Sequence, residues 1–230
     1  GYMDNGSIGD SVAQEDHWGG RIVLLLDASD SLSIRAAYEH HDLEQDGNTA
    51  QNVIFADNFL PEVTGDNGKF DYNSEGGLLA NFKTIPNGKI NDTNKFDTAS
   101  IKIDYDGDGY NLTSVTGYTQ YDWKNIADSD YTGSDIFAQQ THQEFDQWSQ
   151  ELRLETVIAD KLDVLAGVYY HDQDFDQLRT SEVVSTPAGP NLVLSPSKQD
   201  TETWALFAQS TLSLTDAARM TVGLRYGSDE

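Results

Sequence analysis

Cysteine is absent from the 230 residues, which excludes a disulfide scaffold and a thiolate metal site. Basic residues are scarce: 14 Lys and Arg stand against 39 Asp and Glu, a formal net charge of −25. A chain so acidic repels phosphate backbones, so nucleic acid is not an expected partner, and the charge fits solvated loops. Long apolar runs are missing too. No stretch approaches the roughly 18 residues of a spanning helix, and the opening Gly1-Tyr2-Met3-Asp4-Asn5 has neither the basic nor the apolar region of a secretory leader. The chain is therefore expected to begin inside a domain. No Gly-x-Ser-x-Gly, phosphate loop or dinucleotide fingerprint occurs, and 39 acidic residues supply paired carboxylates by chance. No catalytic residue and no cofactor is assigned.

What the chain does have is a repeated pair of alternating strands joined by a short polar turn, with much longer acidic Gly/Asn-rich stretches between pairs. Residues 21–27 and 32–41 flank Ala28-Ser29-Asp30-Ser31; residues 98–105 and 110–123 flank Asp106-Gly107-Asp108-Gly109. Residues 148–157 and 162–171 flank Ile158-Ala159-Asp160-Lys161, and residues 203–212 and 219–226 flank the stretch around Thr215-Asp216-Ala217. Gly-rich turns of this kind suit hairpins. Runs of about ten residues match a bilayer-crossing strand tilted by about 45°, and exceed the five or six of a typical soluble sheet. The mean hydropathy of −0.55 does not oppose this, because in such a barrel only alternate strand residues meet lipid. The predicted fold class is all-β: an antiparallel up-and-down transmembrane β-barrel segment of about eight strands.

Side chains alternate across a strand, so parity assigns the faces. Leu32, Ile34, Ala36 and Tyr38 oppose Ser33, Arg35, Ala37 and Glu39; Ala99, Ile101, Ile103 and Tyr105 oppose Ser100, Lys102 and Asp104. Leu152 and Leu154 oppose Glu151, Arg153 and Glu155, and Met220, Val222, Leu224 and Tyr226 oppose Thr221, Gly223 and Arg225. One face is apolar throughout and the other carries charge. Trp18, Trp148 and Trp204 each precede a predicted turn by ten residues, and Trp123 follows its turn at the far end. Ten residues tilted by about 40° rise roughly 25 Å, the height of the lipid-facing band of such barrels. Tyr38, Tyr121, Tyr169, Tyr170 and Tyr226 fall near the same level, and Tyr105 and Tyr110 flank the opposite end. The predicted membrane-interface aromatics are therefore Trp18, Tyr38, Tyr105, Tyr110, Trp123, Trp148, Tyr170, Trp204 and Tyr226.

Ser149-Gln150-Glu151-Leu152-Arg153-Leu154, Leu165-Ala166-Gly167-Val168-Tyr169-Tyr170, Trp204-Ala205-Leu206-Phe207-Ala208-Gln209 and Leu212-Ser213-Leu214-Thr215-Asp216 running to Val222-Gly223-Leu224-Arg225-Tyr226 occur in an order and spacing that resembles the barrel domain of TonB-dependent outer-membrane receptors. Gly19-Gly20-Arg21 through Asp30-Ser31-Leu32-Ser33 resembles an earlier hairpin of the same barrels. The resemblance implies a bacterial outer-membrane protein with a barrel of about 22 strands closed around a plug. It also implies uptake of a scarce ligand, commonly a ferric siderophore and sometimes cobalamin or a glycan, driven through TonB. Its implied partners are outer-membrane lipid, the plug of the full-length parent, TonB through that parent, and the ligand. Short turns would face the periplasm and long loops the exterior. No plug, TonB-contacting segment or closing strand is recognisable, so residues 1–230 are read as an internal part of the barrel domain. Alone, such an arc would leave outward Leu, Ile and Val in water at roughly 1.5 to 3 kcal/mol each, and should need detergent or lipid to stay dispersed. A passive porin-type channel and a soluble secreted β-sandwich binding calcium or carbohydrate stay open as alternatives.

Several constellations bear on ligands. Asp104-x-Asp106-x-Asp108-Gly109 begins like a calcium loop, but Val115 stands where an EF-hand needs a bidentate Glu and the flanks are strands, so a hairpin turn is expected. His40, His41, His142 and His171 lack metal-ligand spacing and are read as interfacial or loop residues, with no metal assigned. The loop spanning residues 42–97 is too long for a passive connection. It mixes Phe55, Phe59, Phe70, Tyr72 and Phe82 with Lys69, Lys83, Lys89 and Lys95, a combination suited to an anionic, catechol-like ligand or to a surface loop folded on itself. Lumen-facing Arg35, Lys102, Arg153 and Arg225 are candidates for ligand or plug contact, or for ion pairs with wall carboxylates.

Overall fold

The computed structural model describes residues 3–5, 10–12, 14–46, 91–129, 137–159, 161–183, 191–215 and 217–230. Two short strands, β1 (Met3–Asn5) and β2 (Asp10–Val12), pair with each other. Eight long ones follow: β3 (Gln14–Ser29), β4 (Leu32–Asp46), β5 (Asn91–Gly107), β6 (Tyr110–Asp128), β7 (Phe137–Ile158), β8 (Leu162–Val183), β9 (Asn191–Thr215) and β10 (Ala218–Asp229). They form one antiparallel meander in strict chain order, with β3 and β10 at the edges. No second sheet packs on it among the described residues, so it is not a β-sandwich. Without a second layer there is almost no core: among the described residues only Ala138, Thr141, Glu182 and Ala205 are buried.

Continuous pairing registers join the parity classes of the separate strands into two whole faces. Ile22 pairs with Tyr38, Tyr38 with Ala99, Ala99 with Tyr118, and Tyr118 with Trp148. Nearer the short turns, Ile34 pairs with Ile103, Leu112 with Leu154, Val168 with Leu206, and Leu206 with Tyr226. Directly paired residues share a face, so one face is apolar across all eight strands. It lies bare, with Leu224 at 78% exposure.

The hairpins are staggered. Leu32 opens β4 opposite Tyr105, but β5 continues two residues further, to Gly107; Tyr110 opens β6 opposite Thr156, and β7 runs on to Ile158. Leu162 opens β8 opposite Leu212, and β9 ends at Thr215. Backbone bonds lock this stagger, from Asp106 N to Ser31 O (2.8 Å) and from Ser213 N to Lys161 O (2.9 Å). At about 3.3 Å per residue and 4.8 Å per strand, roughly one residue of shift per strand is a tilt of about 35 to 45°, the slant a closed barrel demands. The tryptophans follow the same slope. The pairing row through Trp18 reaches β7 at Glu144, four residues from Trp148, and the row through Trp148 reaches β9 at Glu202, two residues from Trp204. Four strands and two strands separate these pairs, so all three indoles lie on one level line.

Two expectations are corrected. The strands are longer than predicted, because residues 42–46 belong to β4 and residues 91–97 to β5. Most of the added length stands beyond the tryptophan line, where water on both sides removes the polar/apolar alternation that marks a strand in sequence. The region between is therefore shorter than the predicted loop, and Phe55, Phe59, Phe70, Tyr72, Phe82, Lys69, Lys83 and Lys89 lie outside the described residues. Second, Trp123, Tyr121 and Tyr169 sit on the face opposite the apolar one, whereas Trp18, Tyr38, Tyr105, Tyr110, Trp148, Tyr170, Trp204 and Tyr226 share the apolar face.

The turns explain the short ends. The β5–β6 connection is only Asp108 and Gly109, and Gly109 has φ +83°, a conformation strained for a residue with a Cβ. The Asp-rich stretch is thus a tight hairpin: Asp104 lies back on the strand, 2.8 Å from Lys102 Nζ and accepting from the Thr113 hydroxyl at 2.8 Å.

Candidate functional site

The face opposite the apolar one divides at the tryptophan line. Below it, toward the short turns, it carries the four predicted cations. Lys102 is engaged with Asp104, and Arg153 Nε lies 2.8 Å from Glu151 Oε1. Arg225 instead lies over the rings of Tyr169 and Phe207, 5.8 and 5.9 Å from their centroids, a cation–π arrangement. The Phe207 ring covers Gly167 so closely that a Cβ there would overlap Phe207 Cζ. Arg35 pairs in register with Lys102 and has no ion pair among the described residues. The structure therefore brings Arg35 and Lys102 together, and Arg153 and Arg225 around Gly167, as two clusters on one wall.

Above the line, the two faces separate by charge. On the side continuous with the apolar face stand Lys95, Asp122, Lys124, His142, Glu144, Asp146, Asp172, Asp174, Asp176, Lys198, Asp200 and Glu202. Several of these groups pair with one another, while Asp146 and Glu202 accept from Tyr118 and Tyr170. Lys124 Nζ is 3.1 Å and His142 Nε2 3.2 Å from Asp122, and Lys198 Nζ is 3.4 Å from Asp176. Burial pushes the Asp122 carboxyl up, but hydrogen bonds from Lys124 and His142 outweigh it and hold the pKa below the usual range. Asp174 moves the other way, raised by its hydrogen bond with Asp200, by burial and by that neighbour's charge. Asp122, His142 and Glu144 lie close together, and Asp122 is already paired with the Lys124 ammonium.

The inner side at the same height is nearly neutral. Phe96, Tyr121, Phe145 and Phe175 occupy directly paired positions on β5, β6, β7 and β8. The Tyr121 and Phe145 rings stack at 5.1 Å. Amides, hydroxyls and one indole flank this row: Asn94, Trp123, Gln143 and Gln177 on the outer side, and Thr98, Thr119, Gln147 and Gln173 on the membrane side. Tyr121 donates to Gln143 Oε1 at 3.4 Å, and Gln143 Nε2 donates to Gln177 Oε1 at 2.6 Å. Trp123 Nε1 donates to Asp92 at 2.7 Å, joined there by Asn125 Nδ2 at 3.2 Å, so the one carboxylate at this height on this side of β5 to β8 among the described residues is occupied. Asn94 Oδ1 is shielded from water and has no hydrogen-bond partner.

Sequence reasoning missed this row, because hydropathy counts Gln and Glu alike. The signal was present as a different alternation: Gln139, Thr141, Gln143, Phe145 and Gln147 interleave with Gln140, His142, Glu144 and Asp146, separating neutral from largely ionisable side chains. Of the predicted histidines, His40 Nδ1 lies 2.8 Å from Asp97 and His41 Nε2 2.6 Å from Glu39, while His41 stacks on His17 at 5.5 Å. They are dispersed over both faces and form no common centre.

Residues 37–230 match the family model described as TonB dependent receptor-like, beta-barrel. Among solved structures, the chain is similar to the ferric yersiniabactin uptake receptor FyuA from Yersinia pestis, with a TM-score of 0.67 at 18% identity over 99% of this chain and 32% of that one. It is similar to the ferric citrate transporter FecA in its unliganded form, with a TM-score of 0.66 at 12% identity over 99% of this chain and 31% of that one. The RagAB peptide importer in its closed-closed state gives a TM-score of 0.54 at 10% identity, over 94% of this chain and 28% of that one. The chain spans about a third of the length of these structures.

Proposed function

The chain belongs to the TonB-dependent receptor β-barrel family of the bacterial outer membrane, and from that premise we propose that it is part of the wall of a receptor that imports a scarce, bulky ligand using energy delivered through TonB. The family consists of transporters rather than enzymes. The observation that carries the proposal is the pairing of a continuous apolar face, crossed by a slanted tryptophan line, with an opposite face of charged and hydrogen-bonding groups.

On this reading, residues 1–230 are a partial barrel domain whose plug and closing strands lie elsewhere in the parent. The apolar face meets lipid. Trp18, Trp148, Tyr170, Trp204 and Tyr226 mark the outer interface with Tyr38 slightly deeper, and Tyr105 and Tyr110 mark the periplasmic one. Arg35, Lys102, Arg153 and Arg225 face the plug-filled lumen, and Phe55, Phe59, Phe70, Tyr72 and Phe82, outside the described residues, are kept as ligand-contact candidates on their residue types alone.

Two ligand classes are supported. A ferric siderophore is favoured by similarity to two proteins whose ligands are ferric chelates, and by lumenal cations able to meet an anionic complex. A neutral glycan is favoured by one observation, the uncharged aromatic and amide wall above the tryptophan line. The shared claim is energy coupling. Uptake by cells carrying the full-length receptor should vanish when TonB is deleted, and uptake unchanged by that deletion would refute it.

A further inference from the structure

The inner side of the β3–β4 hairpin carries a group of side chains that the barrel wall itself does not require. His17, Gly19 and Arg21 of β3 share that side with Glu39 and His41 of β4, at the level of Trp18. His17 Nε2 lies 3.2 Å from His41 Nδ1, with the two ring planes 18° apart. The other nitrogen of the second ring, His41 Nε2, lies 2.6 Å from Glu39 Oε1, and Arg21 Nε stands 3.6 Å from Glu39 Oε2. An ionised carboxylate only accepts, so His41 carries its proton on Nε2 and, as the neutral ring, presents a lone pair at Nδ1. Gly19 keeps that lone pair accessible. It pairs directly with His41, and a Cβ at position 19 would stand 2.6 Å from Nδ1.

We propose that His17 Nε2 and His41 Nδ1 together bind a borderline divalent transition-metal ion such as zinc or nickel. Two nitrogens held about 2.0 to 2.1 Å from one tetrahedral zinc stand roughly 3.3 Å apart, close to the separation already present. Metal-bound imidazoles give their second N–H to a carboxylate, and Glu39, steadied by Arg21, fills that role for His41. His17 is exposed, so its ring has room to turn until both lone pairs meet on the ion, which takes the place of the shared proton. Imidazole suits zinc, copper and nickel, whereas magnesium and calcium take carboxylate and carbonyl oxygens. The pair therefore selects against the hard ions that an acidic chain attracts. The remaining coordination positions open to the inner side, for water or for donor atoms of a ligand. The site needs only the β3–β4 pairing, and it stands or falls independently of energy coupling through TonB.

The test is calorimetric titration of the full-length receptor in detergent with zinc chloride and with nickel chloride, in excess magnesium so that carboxylate groups are already occupied. The wild type should bind one equivalent of metal more than either His17→Ala or His41→Ala. Glu39→Gln, which keeps the size of the side chain but removes its charge, should retain that equivalent with roughly ten- to a hundredfold weaker affinity. His40→Ala, on the outward side, should leave it unchanged. Folding of each variant is checked by heat-dependent gel mobility. Equal stoichiometry and affinity in the wild type and in both the His17 and His41 variants would overturn the proposal. So would loss of the equivalent in His142→Ala, which would move the ion to the Asp122, His142 and Glu144 group on the other face.

Discussion

Placing a charge at the same depth on the two faces should give very different costs. Leu152 lies on the apolar face, four residues below Trp148 and six from the end of β7 at Ile158. Four residues at about 3.3 Å, tilted by about 40°, put it roughly 10 Å inside the tryptophan level, near the middle of a band about 25 Å tall. Arg at that depth on the lipid face costs about 2 to 4 kcal/mol, a factor of roughly thirty to nine hundred in the folding equilibrium. Val115 lies at nearly the same depth on the inner face and pairs directly with Glu151. Val115→Arg would stand between Glu151, already paired with Arg153, and the Lys102 ammonium on a water-facing wall, and should change stability by no more than about 1 kcal/mol. The assay is urea unfolding of the full-length receptor in phospholipid vesicles, followed by tryptophan emission and gel mobility. Equal costs for Leu152→Arg and Val115→Arg, or a larger cost at Val115, would refute the assignment of the faces.

Other substitutions test local claims. Gly109→Val should destabilise the β5–β6 hairpin by about 1 to 2 kcal/mol through backbone strain alone, because a Cβ at that position would meet nothing within 4 Å; a neutral result in the same unfolding assay would contradict the turn geometry. Gly167→Ala should push against both the Phe207 ring and the Leu152 carbonyl oxygen and cost about 1 to 3 kcal/mol, with only the ring's share recovered in Gly167→Ala combined with Phe207→Ala; no recovery at all would show that the ring is not in the way. The raised Asp174 pKa favours the protonated carboxyl in the folded state, so its stabilisation is full below the ordinary Asp value and is lost as pH rises through the raised one. Asp174→Asn should therefore flatten the pH dependence of amide exchange in the outer parts of β8 and β9, and lower protection of the variant at neutral pH would contradict the sign.

The membrane half of the fold was legible because lipid imposes the strongest alternation a strand can show. Leu32, Ile34, Ala36 and Tyr38 carry the period of two in their side chains, and the register then extends it across the sheet. The equal spacing of Trp18, Trp148 and Trp204 from their turns already contained the tilt, since turns and tryptophans step together from hairpin to hairpin. Beyond the tryptophans the alternation is between neutral and charged groups, which hydropathy cannot see, so residues 137–147 and 172–183 did not read as strands. Trp123 went to the wrong face for a simpler reason. It lies an odd number of residues from Tyr110, and side-chain parity reverses over an odd count whatever the residue's level.

A spin-label scan along β7, from Gln139 to Ile158 in the full-length receptor reconstituted in bilayers, tests the central claim most directly. Oxygen accessibility should alternate from residue 148 to residue 156 with maxima at even positions, and above Trp148 both parities should respond to a water-soluble relaxant. Alternation with odd maxima, or no change of behaviour at Trp148, would contradict the account.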